Sequence, residues 1–202
     1  MHLEVLEEKQ KDILERLKTV NWLDGYYLAG GTGLALQIGH RLSDDFDFFT
    51  ESDFNIDTLT YEIQKNFNFE KVSEDKNTLN GVIDNVKISF LGFKYKLISP
   101  FKNYENIKIA GIKDIACMKL SAVTQRCTKK DFIDIYYLLK EYKSEELFSF
   151  YEEKFGTNGY EMILRKSLLY FQDAEEDPMP RVLEKIEWDD VKKEIEKRVL
   201  RG

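Results

Sequence analysis

Cysteine and histidine are scarce in this 202-residue sequence, with only Cys117, Cys127, His2 and His40 present. No Cys/His set among them supplies the four ligands of a structural zinc, so any bound metal is expected to be held by oxygen. Cys117 lies in the apolar run Ile115-Ala116-Cys117-Met118 and reads as an inert buried thiol. Long apolar runs are missing too, since nothing approaches the roughly 18 residues a membrane span requires. The N-terminus carries Glu4, Glu7 and Glu8 where a signal peptide has basic and then apolar residues, so a cytoplasmic protein without membrane contact is expected. Positive charge is not in excess either. A net charge of -7 does not suit a protein that coats DNA or RNA, which takes many Lys and Arg contacts to phosphate, and leaves room only for a local basic groove. What the chain does have is 43% hydrophobic and 33% charged residues, enough for one core, or one core with a helical extension.

Leu3, Leu6, Ile13, Leu14, Leu17 and Val20 recur at largely helical spacing among Glu and Lys, predicting one amphipathic helix over residues 1–20. Residues 26–29 predict a short strand, stopped by Gly30-Gly31 and followed by a short helix through Leu34, Ala35, Leu36 and Ile38. Asp45-Phe46-Asp47-Phe48-Phe49 alternates polar and aromatic side chains, which predicts a strand with its acids on one face. A helix is expected over residues 56–67, then short strands at 69–72, 79–83 and 86–93, with Asp84-Asn85 as a hairpin corner. From Ile112 the period turns helical and stays so, with further helices over 145–154, 160–171 and 188–199 and an acidic, Pro-containing loop over 173–180. The expected division is an α/β domain over residues 1–111 and a helical domain over 112–202.

Gly30-Gly31-Thr32 at a strand-to-helix turn lets backbone approach a bound group, and N–H groups at a helix start favour an anion such as phosphate. Asp45 and Asp47 stand two apart on a predicted strand, so both carboxylates project from one face, roughly 6–7 Å apart at the backbone. Such a pair repels itself unless a cation lies between, and Mg²⁺ takes one or two carboxylates together with substrate phosphates. A phosphate cradle beside a metal site is the geometry nucleotidyl transfer requires. The stretch Leu28-Ala29-Gly30-Gly31-Thr32-Gly33-Leu34-Ala35-Leu36 through His40-Arg41-Leu42-Ser43-Asp44-Asp45-Phe46-Asp47-Phe48-Phe49 resembles the first motif of the AbiEii/AbiGii toxin family of nucleotidyltransferases, matching it at Gly30, Gly31, Ser43, Asp45 and Asp47. A second block supports the resemblance: Lys119-Leu120-Ser121-Ala122, then Arg126, then Lys130-Asp131-Phe132-Ile133-Asp134.

The resemblance implies an α+β protein, a nucleotidyltransferase-like mixed sheet flanked by helices and followed by a helical region. It implies Mg²⁺-dependent transfer of a nucleotide from an NTP, with RNA, particularly a tRNA end, as acceptor. It further implies the toxin of a toxin–antitoxin or phage-defence pair, partnered by a cognate antitoxin protein. Asp45, Asp47, Lys119 and Asp131 become candidate catalytic residues, the first two as metal ligands; Gly30, Gly31, Thr32, Ser43, Arg126 and Lys130 become candidate nucleotide-binding residues. Lys119 and Arg126, seven apart on one predicted helix, share a face on which to meet triphosphate. Asp131 is placed to cap its helix or to orient a basic neighbour. His40 reads as a structural hydrogen-bonder, and Arg41 as a partner of Asp45 or of phosphate. Tyr26, Tyr27, Phe46, Phe48, Phe49, Tyr136 and Tyr137 read as core, with room for one to stack on a base. One departure stands out. Nucleotidyltransferases commonly carry a third acid on a later central strand, and the strand at residues 86–91 presents Ser89 there, while Asp84 on the preceding turn should point away. The alternative is therefore a module of the same fold that binds a nucleotide or a partner without turnover. A metal-dependent phosphohydrolase lacks an evident water-activating base.

Overall fold

Residues 1–200 are described by the computed structural model, and their alternating stretches pair into one seven-stranded mixed sheet. In chain order the elements are α1 (Glu8–Leu17), β1 (Tyr27–Leu28), α2 (Gly30–Ile38), β2 (Asp45–Thr50), α3 (Ile56–Gln64), β3 (Phe69–Asp75), β4 (Thr78–Ile83), β5 (Val86–Gly92), β6 (Lys102–Tyr104) and β7 (Ile107–Ile109). The strand order is β3-β4-β5-β2-β1-β7-β6, with β2 central, parallel to β5 and antiparallel to β1. The architecture is α+β.

Alternation along β2 decides what the sheet does. Phe46 and Phe48 are fully buried and join Ile88 and Phe90 of β5, Leu79 and Ile83 of β4 and Ile13, Leu14 and Leu17 of α1 in one core. Phe48 stacks on Phe90 with centroids 5.6 Å apart. Burying one such side chain stabilises by about 1.5–3 kcal/mol, and a slip of one residue would exchange the rings for the acids. The register is thereby set, and Asp45, Asp47 and Phe49 are left half-buried on the other face. Asp84 and Asn85 both adopt positive φ, 49° and 65°, as the tight hairpin between β4 and β5 demands.

Two features differ from expectation. The first twenty residues are not one helix: a 3-10 turn at Leu3–Val5 gives way to extended backbone at Leu6 and Glu7, and α1 starts afresh where Gln10 Oε1 accepts the Glu7 N–H at 2.9 Å. And β6 and β7, three residues each, form a small hairpin beside β1 that no sequence pattern announced.

The chain divides into two compact units. The sheet unit comprises residues 1–39, 43–96 and 100–111; the helical unit comprises 40–42, 97–99 and the chain from 112 on. The latter contains α4 (Ile112–Gln125), α5 (Lys129–Glu141), α6 (Ser144–Phe155), α7 (Glu161–Leu168) and α8 (Trp188–Leu200). Its two short segments are tied in by specific bonds. Leu42 N–H donates to Arg181 O and Leu183 N–H to His40 O, at 2.9 and 3.0 Å. Buried Asp114 accepts from the N–H groups of Ile98 and Ser99 and from Lys154 Nζ. Cys117 is fully buried, and burial pushes its thiol up to about 12. Among the described residues no helix is long and apolar enough to cross a membrane.

Candidate active site

In the sheet unit, the start of α2 is pressed against β2 at the acid pair. Ala29 N–H donates to the Asp47 carbonyl at 3.0 Å. Gly30 follows with φ +62°, and a Cβ added there would lie 2.5 Å from Asp47 Oδ2. Only glycine adopts this backbone without cost and also lets the helix start touch the carboxylate. Thr32 Oγ1 donates to the Asp45 carbonyl, so its one proton is used and Ser43 Oγ is the donor in their 2.7 Å bond. Gln10 Nε2 holds the Ser43 carbonyl at 2.6 Å. Thr32 and Ser43, expected to contact nucleotide, are 1% and 6% exposed, and their hydroxyls turn inward to clamp the start of α2 to β2. Gly30 and Gly31 are the more accessible residues of this turn.

Replacing Gly30 by alanine is expected to destabilise the fold by about 1–2 kcal/mol, the cost of left-handed backbone for a residue with a side chain, and to displace the Asp47 carboxylate. Denaturant unfolding measures the first effect and the expected Mg²⁺-dependent nucleotide binding the second; an alanine variant with parental stability and binding would show that the close approach is unimportant.

Ser89 is the in-register neighbour of Asp47 across the β2–β5 pairing, and Lys87 that of Asp45. Because Ile88 and Phe90 are buried in the core, Ser89 lies on the acids' face, half-buried. Asp84 is exposed and paired with Arg16 at 3.0 Å. No group of three or more His, Cys, Asp or Glu side chains among the described residues converges as a metal cluster. Two half-buried carboxylates on one strand face still fit a hard cation such as Mg²⁺, which habitually completes its shell with water and substrate phosphates.

The helical unit concentrates the second block into a buried ionic network. Asp134, at 0% exposure, accepts from His40 Nε2 at 2.6 Å and from Arg41 Nε and Nη2 at 2.7 and 3.0 Å, and meets Lys119 Nζ at 2.6 Å. Lys119, 4% exposed, also reaches Asp131 at 2.9 Å. Asp131 further accepts from Arg126 Nε and from Thr128 Oγ1, at 2.9 and 2.5 Å. Burial opposes ionisation of both aspartates, but the Lys119 ammonium outweighs it, joined at Asp134 by the Arg41 guanidinium and at Asp131 by the Arg126 and Thr128 hydrogen bonds; both carboxyls lie below their ordinary range, Asp134 well below. Burial likewise works against the Lys119 ammonium, yet Asp134 and Asp131 hold it above the usual lysine range. Burial pulls His40 down.

Lys119 and Arg126 therefore meet on Asp131, and Lys119 does so away from solvent. Asp131 acts on its basic neighbours. Arg41, expected on Asp45 or phosphate, is bound bidentately to Asp134. Arg126 and Lys130 are the exposed cations of this block. The His40–Arg41–Asp134 association escaped the sequence because its members lie 93 and 94 positions apart; the only local hint was Asp134 standing one turn after Asp131.

A mixed sheet whose central strand carries Asp-x-Asp beside a Gly-Gly helix start is that of a nucleotidyltransferase. A family model described as nucleotidyl transferase AbiEii toxin, Type IV TA system, matches residues 12–109 and 95–199, and the chain belongs to that family. An uncharacterised protein of Aquifex aeolicus (strain VF5) is 38% identical over 202 residues, with 96% of each chain covered. Two solved Helicobacter pylori structures share the fold. JHP933 is 19% identical with a TM-score of 0.61, covering 97% of this chain and 92% of its own. A candidate nucleotidyltransferase is 18% identical with a TM-score of 0.61, covering 96% and 95%. The function is accordingly of the nucleotidyltransferase type.

Proposed function

We propose that the protein transfers a nucleotide from an NTP to an RNA acceptor such as a tRNA end, using Mg²⁺ held by Asp45 and Asp47, and that it is the cytoplasmic toxin of a pair completed by a cognate antitoxin. The observation that carries this reading is the contact between Gly30 and the Asp47 carboxylate, which brings an anion-favouring helix start and a cation-favouring acid pair to one place. The N–H groups of Gly30 and Gly31 orient phosphate oxygens. Asp45 and Asp47 fix the ion, and bound Mg²⁺ supplies charge neutralisation on the transferred phosphoryl group. In the helical unit, we assign Arg126 and Lys130 to nucleotide phosphate, because they are the exposed cations of the second sequence block. Lys119 and Asp131 are positioning residues that set Arg126. Incubation with Mg²⁺, each labelled NTP in turn and total RNA tests the reading: label on RNA supports it, whereas nucleotide bound without transfer favours the non-catalytic binding module.

Ser89 offers a second check. Ser89→Asp is expected to add a third hard ligand beside Asp47 and lower the Kd for Mg²⁺ by about tenfold, about 1.4 kcal/mol. Without metal the same variant should melt earlier than the parent, since three carboxylates then crowd one site. Melting curves with and without Mg²⁺ read both effects, and a variant with unchanged Mg²⁺ response would remove β5 from the metal site.

A further inference from the structure

The face that carries Asp45 and Asp47 continues into a row of aromatic rings. Phe49 lies two residues beyond Asp47 on the same face of β2, and Tyr27 of β1 is its cross-strand partner. On one side the Phe49 ring stacks on Tyr27 with centroids 6.1 Å apart, and Tyr27 meets Phe101 at 5.6 Å. On the other side Phe49 meets Phe93 edge-on at 5.9 Å, and Phe93 meets Tyr95 at 5.1 Å. The row is anchored in the middle and open at its ends: Tyr27 is 4% exposed, Phe101 39% and Tyr95 47%.

Positive charge accompanies these rings. From Phe93 to Ile109 the sequence has four lysines, Lys94, Lys96, Lys102 and Lys108, against one acid, Glu105, in a protein whose net charge is -7; Lys102, the cross-strand partner of core Ile109, projects from the other face of the sheet, which leaves Lys94, Lys96 and Lys108 to the rings. Glu105 is turned onto Lys18 at 2.8 Å. Lys108 Nζ lies 5.8 Å from the centroid of the Phe101 ring. Lys94 pairs with Asp53 at 2.9 Å, but at 65% and 62% side-chain exposure such a pair contributes little and yields readily to a polyanion. Exposed rings interleaved with lysines are what a single strand of nucleic acid requires, because bases stack on rings while phosphates meet cations. Duplex bases have no free faces to offer.

We propose that this row is the acceptor platform: unpaired bases of a single-stranded RNA stack on Tyr95 and Phe101, Lys94, Lys96 and Lys108 meet its phosphates, and the strand is thereby held beside Asp45 and Asp47. This rests on the reading of the protein as a nucleotidyltransferase acting on RNA. A nucleoside triphosphate brings one base and needs one ring, whereas exposed rings at both ends of a row, one flanked by Lys94 and Lys96 and the other beside Lys108, match successive nucleotides.

The test is fluorescence anisotropy of the full chain with a labelled single-stranded oligoribonucleotide, and with the same strand annealed to its complement, without NTP or Mg²⁺. The single strand should bind more tightly than the duplex, and binding should weaken as salt rises. Tyr95→Ala and Phe101→Ala should each weaken it by about 5- to 150-fold, while Tyr95→Phe and Phe101→Tyr retain it; all four should be folded at the assay temperature, as read by circular dichroism. The platform is overturned if the parent ignores the strand, if strand and duplex bind alike, or if the alanine variants bind as the parent does. It is also overturned if those variants lose affinity for a fluorescent ATP and keep it for RNA, which would give the row to the nucleotide's base. The two readings fail separately. RNA binding lost in the alanine variants of a protein that never labels RNA keeps the platform and removes the transferase, and labelling with undiminished binding in those variants does the reverse.

Discussion

Asp47→Asn is expected to lower the proposed Mg²⁺-dependent nucleotidyl transfer by at least about a thousand-fold, about 4 kcal/mol of transition-state stabilisation, while leaving the circular dichroism spectrum unchanged. Asparagine has the shape of aspartate but removes the charge that attracts a hard cation, and the charge neutralisation that metal provides is worth several kcal/mol. The side chain is half-buried on the face opposite the core, so the strand register, held by Phe46, Phe48 and Phe90, does not depend on its charge. Asp45→Asn should act in the same direction. A radiolabel transfer assay alongside thermal melting decides the matter: an asparagine variant that unfolds, yet is fully active in its remaining folded fraction, would make these acids structural.

The largest loss of stability is expected from Asp134→Asn, about 3–5 kcal/mol, because removing one member of a buried ionic group leaves the others uncompensated. For a chain of this size that is a fall of roughly 2–4 °C in Tm for each kcal/mol. Lys119 and Arg41 would face a neutral amide in positions 4% and 5% exposed. Lys119→Met in the same background should recover part of the loss, so the double variant should be more stable than the sum of the singles predicts. The pH dependence has a definite sign. Despite burial, Lys119 and Arg41 depress the Asp134 carboxyl well below its ordinary value. Below about pH 3.9 the unfolded chain takes up this proton while the folded chain still resists it. The stabilisation is thus complete above that pH and is lost as pH falls through the folded value. His40, also depressed, adds a decline that begins as pH drops below about 6.5, the ordinary histidine value. Urea unfolding across the acid range should show a shallower acid limb for Asp134→Asn than for the parent, and an asparagine variant within about 1 kcal/mol of the parent at neutral pH would show the network to be weak.

What the sequence determined by itself is whatever the backbone repeats locally. A period of two put Asp45 and Asp47 on one face of β2 and Ser89 on the same face of β5, as the pairing of Asp47 with Ser89 bears out. The Asp84-Asn85 hairpin and the helices from Ile112 onward follow from dipeptide chemistry and the helical period in the same way. Periodicity fails where the element is too short to repeat, as in the three-residue strands β6 and β7, and where a cap interrupts a continuous pattern, as Glu7 does. Only the tertiary structure showed that the rings of Phe93 and Tyr95 join Phe49 and Tyr27 on the acids' face. Partnership between distant charges was decided by the tertiary structure alone. Nothing near Lys119 in sequence says that its ammonium will be buried against Asp131 and Asp134, or that His40 and Arg41 will come across more than ninety residues to share Asp134. A buried charge is tolerable only where the whole fold brings it a partner, and which partner arrives depends on the path of the entire chain.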